Sequence, residues 1–64
     1  MNIYSVCICY RDKVDPLKRN NVTTKFYKGL AEARKHSPVK VHYSRNTKAF
    51  YGFNDELEVW IEKE

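Results

Sequence analysis

Four side chains of this chain are natural ligands for a transition metal: Cys7, Cys9, His36 and His42. A zinc ion takes four such groups in a tetrahedron, usually from paired knuckles of the C-x2-C kind. The two cysteines are instead spaced C-x-C within IYSVCICYR, residues 3 to 11. That run is rich in β-branched and aromatic types and predicts a strand. On a strand the two sulfurs splay along the pleat. Residues i and i+2 there lie about 6.6–7 Å apart at Cα, at or beyond the roughly 4.4–6.8 Å that a disulfide spans. The expectation is no metal site and two reduced, half-buried thiols, since free cysteine packs as a small hydrophobe. His36 is expected at a helix end and His42 on a solvent-facing strand position.

Nucleophilic catalysis needs a Ser or Cys beside a base, with a third group to orient that base. Cys7 falls in mid-strand, where buried thiols are inert. Ser44 and His42 are only neighbours in sequence, and two glycines, Gly29 and Gly52, are too few for a phosphate-cradling loop. Glu58 and Glu62 would make the best acid–base pair, yet both are expected in ordinary solvation on an outward strand face. Sixty-four residues also leave little room for a concave pocket and its supporting shell. The reading is therefore not an enzyme, with no cofactor.

Binding chemistry is better represented. Eleven of the twelve basic residues lie between Arg11 and Lys48, among three acids, a balance of +8. Residues 54 to 64 hold five acids and Lys63, a balance of −4. Such asymmetry attracts one sign of partner and repels the other. The basic set comprises Lys18, Arg19, Lys25, Lys28, Arg34, Lys35, Lys40, Arg45 and Lys48. Tyr27, His42, Tyr51 and Trp60 are the rings expected on open surface, where they could stack bases or anchor a protein. Cations interleaved with aromatics fit single-stranded nucleic acid in general terms. Against that, no ribonucleoprotein signature is present, and Glu58 and Glu62 flank Trp60. The plainer alternative is a solvated basic surface with structural aromatics, in which Tyr51 and Trp60 simply pack together.

The elements that must position these residues read as follows. After the first strand, residues 12 to 21 are polar, with Asp-Pro and Asn-Asn as turn chemistry. Residues 22 to 28, VTTKFYK, alternate as a second strand in a hairpin with the first. The rival is a helix of about fourteen residues from Thr24, giving β-α-β-β; Gly29 opposes it, at about 1 kcal/mol in a helix interior. Residues 30 to 37 form a short helix with Leu30 and Ala33 toward the sheet, stopped by Pro38. Residues 39 to 44 alternate as a strand, 45 to 48 turn, and 49 to 53 form a strand whose Gly52 suggests a bulge. In the last strand, residues 56 to 63, Leu57, Val59 and Ile61 face the core and Glu56, Glu58, Trp60 and Glu62 face outward.

The fold class is α+β: a small antiparallel sheet of four or five strands, with one short helix packed on one face, in the order β-β-α-β-β-β. Residues 1 to 64 make a single domain. No apolar run reaches the ~20 residues of a membrane helix, and no signal peptide is visible, so a cytoplasmic protein without membrane contact is expected. In organisation alone the chain resembles many small bacteriophage-encoded proteins that bind and disable a host component, anti-CRISPR and anti-restriction proteins among them. That resemblance implies an inhibitor acting on a host or defence system, and it assigns no residue a role. The favoured partner is a protein or nucleoprotein machine, with DNA or RNA as the alternative. A homodimer through an edge strand is the third reading.

Overall fold

The first strand, β1 (Tyr4–Arg11), lies near the middle of one antiparallel sheet. The computed structural model describes residues 3–64. On one side of β1 runs β2 (Arg19–Tyr27). On the other side runs β5 (Leu57–Lys63), followed by β4 (Ala49–Phe53) and β3 (His42–Ser44). The order is β2-β1-β5-β4-β3, which leaves β2 and β3 at the edges. The helix α1 (Leu30–Lys35) joins β2 to β3. No described helix is long and apolar enough to cross a membrane.

Alternation divides each strand between two faces. Val6 pairs with Ile61 and Ile8 with Val59, so these side chains share the helix-side face. There Val6, Ala33, Val41, Val59 and Ile61 form the buried core, and Tyr4, Ile8, Tyr27, Leu30, Val39 and Phe50 pack around it. The core is small, and its largest fully buried members are aliphatic. Large rings sit at its margin, where about 150–250 Å² each can be covered without complete enclosure.

Residues 22 to 27 are strand, not helix, and β2 begins earlier than expected, at Arg19. The ladder between β1 and β2 shifts between Ile8↔Thr23 and Tyr10↔Asn20. Asn21 and Val22 therefore stand opposite Cys9 alone, which makes a bulge. Asn21 takes a left-handed φ of 51°, which asparagine tolerates better than most residues. The connection before β2 is tied by Asp12, whose Oδ2 accepts from the Val14 and Asp15 amides and whose Oδ1 accepts from Asn20. The Asp15 amide first, then the Asn20 side chain, hold the Asp12 carboxyl below its usual range.

Two expectations need correction. The strand expected over 39 to 44 shrinks to His42–Ser44, because Val41 turns into the core and the Lys40 carbonyl rests on Gly52. Gly52 marks no bulge: it pairs in register with Val59. Its missing side chain is what admits the Lys40 backbone, since a Cβ there would collide with the Lys40 carbonyl oxygen and press on Val41.

Gly29 has a different role. It caps α1 with extended backbone, no side-chain acceptor and open space around it, and Glu32 follows three residues later. Gly52→Ala should destabilise the fold by roughly 1–3 kcal/mol through overpacking. Gly29→Ser completes a capping box with Glu32 and should stabilise by a few tenths of a kcal/mol. Thermal unfolding reads both. For a domain this small the first change lowers Tm by on the order of 5–20 °C, and the second leaves it equal or slightly higher.

Candidate functional site

The face of the sheet away from α1 carries a group of exposed and half-buried rings. Register builds it row by row. Cys7 pairs with Trp60, Trp60 with Tyr51 and Tyr51 with His42, while Thr24 lies on the other side of Cys7. This row runs from β2 across to β3. The next row holds Cys9, Glu58 and Phe53. Tyr51 lies 5.2 Å from Trp60 and 5.7 Å from Phe53 between ring centroids. Phe53 and Phe26, on the same face, are 59% and 61% exposed.

Under this face Glu58 is 3% exposed. Its two oxygens meet two arginines. The Arg19 Nε–H donates to Oε2 at 3.0 Å, and the Arg11 Nε lies 3.4 Å from Oε1. Both guanidiniums are also held by backbone: Arg19 Nη1 donates to the Pro16 carbonyl and Arg11 Nη1 to the Asn54 carbonyl. Arg11 further stacks over the Phe53 ring, 5.4 Å from its centroid. The expectation that Glu58 points into solvent is overturned. Its strand does face it outward, but Arg11, Arg19 and Phe53 roof it over. Arg11, arriving from β1, and Arg19, brought alongside by the bulged hairpin, face each other across the ladder and share the one carboxylate.

Burial of the carboxylate reaches its neighbours. Desolvation first, then the negative Glu58, push the Cys9 thiol above its ordinary range. The same two causes raise the Tyr51 phenol. Cys9 is buried and Cys7 half-buried, and both are free thiols. His36 lies on the far side of the sheet, stacked on Tyr27 at 4.6 Å, so it does not join the cysteines. Among the described residues no group of three or more His, Cys, Asp or Glu is placed to hold a metal ion.

The expected binding residues do not form one surface. His42, Tyr51 and Trp60 come together on the open face. Tyr27 belongs to the helix side and packs on the core, which corrects its expected place on open surface. Arg19 is engaged by Glu58 and so is not a free cation. Lys18 and Lys28 flank β2, and Lys25 lines a helix-side cavity with Val6 and His36. Arg34 lies on α1, 5.5 Å from the Phe50 ring centroid. Arg45 is in the β3–β4 turn, and Lys48 closes that turn with a φ of 55° and lines a helix-side cavity with Tyr4 and Phe50. Lys40 borders a shallow groove of about 750 Å³ beside β4, where β3 is too short to pair with Gly52 and Phe53.

Sequence reading missed Phe53, Phe26 and Arg11 as members of this face, and it placed Glu58 there beside Trp60 as a solvated acid rather than an enclosed one. Phe53 and Phe26 were within reach, because period-two alternation puts Phe53 with Tyr51 and Phe26 with Thr24. The ion cluster was not, since it depends on a bulge and on contact 39 residues apart in sequence. No protein family, no curated protein and no solved structure matches this chain.

The cluster makes a specific demand on stability. Arg11→Met with Arg19→Met leaves Glu58 buried and unpaired, and should destabilise by roughly 2–3 kcal/mol in urea unfolding. That is below the 3–5 kcal/mol typical of enclosed pairs, because both guanidiniums are about a third exposed. Adding Glu58→Leu to the double variant should recover most of the loss.

Proposed function

We propose that this chain is a non-enzymatic binding protein whose open sheet face occupies a surface of a partner protein, alone or within a nucleoprotein machine. The observation that carries this reading is the ring group of the open face, whose two arginines are both engaged by one carboxylate. On the open face Arg11 and Arg19 are both engaged by Glu58, and Glu62 lies on the same side of β5. A face of aromatic rings with paired charges suits a protein interface, where Tyr, Trp and Arg concentrate binding energy. It suits a phosphate chain poorly, because binding there draws on cations free to displace counterions. The groove beside Tyr51 and Phe53 offers a recess for one anchoring side chain. A protein of this kind works by covering a surface, as do the small bacteriophage-encoded inhibitors it resembles in organisation. The raised Cys9 thiol fits the same reading, since an activated nucleophile needs a lowered one.

Nucleic-acid binding is the second reading, and one observation favours it. Lys25, Lys28, Lys35, Lys40, Arg45 and Lys48 are all exposed, and among the described residues none makes an ion pair. They are spread over the β2 edge, the helix side and the β3 end.

Fluorescence-anisotropy titration of labelled single- and double-stranded DNA and RNA at about 50 and 200 mM salt separates the two. The protein reading expects binding weaker than ~10 µM at the higher salt. With a captured partner, Trp60→Ala or Tyr51→Ala should each cost about 2 kcal/mol or more, while Lys28→Glu or Arg45→Glu changes affinity little. Low-micromolar nucleic-acid binding would favour the alternative. So would losses that add across Lys25, Lys28, Lys40 and Arg45, with the salt slope falling by about one per contact removed.

A further inference from the structure

We infer that the outer edge of β2 accepts an added strand from a partner segment in which acidic and apolar side chains alternate. This edge borders the open face through Thr24 and Phe26, but the inference concerns the backbone edge and does not rest on the reading given for that face. Three observations converge on β2. It is an edge strand of nine residues, and beyond the bulge the run Thr23–Tyr27 is in regular register with β1. In such a ladder alternate residues turn their N–H and C=O groups away from the neighbour, which leaves a template for one more strand.

The side chains of this edge are sorted by face. Val22, Thr24 and Phe26 alternate with Thr23, Lys25 and Tyr27. Val22 and Phe26 are 60% and 61% exposed, so one side of the edge is apolar and uncovered. On the other side Lys25 and His36 border a cavity of about 300 Å³, with Tyr10 and Tyr27 beside them and Val6 as floor. Helix α1 ends at Lys35 and leaves this part of the sheet uncovered.

Charge then selects the occupant. From Lys18 to Lys28 there are four cations and no acid. Arg19 is paired with Glu58, whereas Lys25 and Lys28 make no ion pair among the described residues. A second copy of this chain would set one such run against another, and like charges across a ladder repel. A strand with carboxylates on the helix side meets Lys25 and His36, and its apolar residues lie beside Val22 and Phe26. Lys25 and the bulge also discourage pairing with arbitrary strands, so the edge is selective as well as available.

The probe is an eight-residue acetylated and amidated peptide alternating glutamate with valine, with a lysine–valine peptide as control. Binding is followed by backbone amide shifts of the isotope-labelled protein and by anisotropy. The glutamate peptide should bind at least tenfold tighter than the control and move the amides of Thr23 to Tyr27 most. Methylating alternate peptide nitrogens should weaken it at least tenfold, because the ladder bonds are lost while the charges remain. Lys25→Glu should reverse the preference between the two peptides, and Trp60→Ala should leave it unchanged. Equal binding of the methylated peptide, shifts centred on β3, β4 or β5, an unaltered preference in Lys25→Glu, or a dimer already joined through β2 would each overturn the inference.

Discussion

Five strands expose two faces, and among the described residues one helix of six residues is there to cover them. The shortest dimension of the molecule, 17 Å, has room for the sheet and a single layer against it at the usual spacing of about 10 Å. Apolar burial is therefore concentrated under Ala33 and Leu30, where Val6, Val59 and Ile61 meet the helix. The other face must be stabilised from within the sheet itself. It is, by rings that lean on one another across the strands and by a carboxylate enclosed beneath two arginines.

That enclosed carboxylate has consequences in both directions. A buried charge is tolerable only when paired and hydrogen-bonded, and Glu58 has a partner for each oxygen. In return it fixes Arg11 and Arg19, ties the β1–β2 hairpin to β5, and places Arg11 over Phe53. The hairpin bulge, the Arg19 position and the shape of the ring cluster are thus parts of one arrangement. The same pairing sets two arginines against one carboxylate at the centre of the face, so both guanidiniums there are engaged rather than free.

Much of this was legible in the residues, for local reasons. The β-branched and aromatic run at Tyr4–Arg11, the alternation of Leu57, Val59 and Ile61, and the Gly29-to-Pro38 boundaries of the helix are set by neighbours in sequence. So a small antiparallel sheet with one short helix could be read directly. What escaped was non-local. Val41 leaves its strand because the Gly52 backbone, eleven residues later, gives the Lys40 carbonyl a seat. Glu58 reads as one of several outward acids until the bulged hairpin brings Arg19 to it. Tyr27 reads as a surface ring until His36, at the end of α1, stacks on it. Net charge by segment was accurate as arithmetic and misleading as a map, since folding distributes the basic run over both edges and the helix side.

The central claim is that the open face, and not the dispersed lysines, meets the partner. Site-specific photo-crosslinking tests it most directly, with a benzophenone amino acid placed at Phe53 in one protein and at Lys35 in another. Both positions are exposed, one on each side of the sheet. In nuclease-treated extract of the cells that express the chain, the account predicts a discrete protein adduct from position 53 and none from position 35. An adduct to nucleic acid, or a protein adduct from position 35 alone, would contradict it.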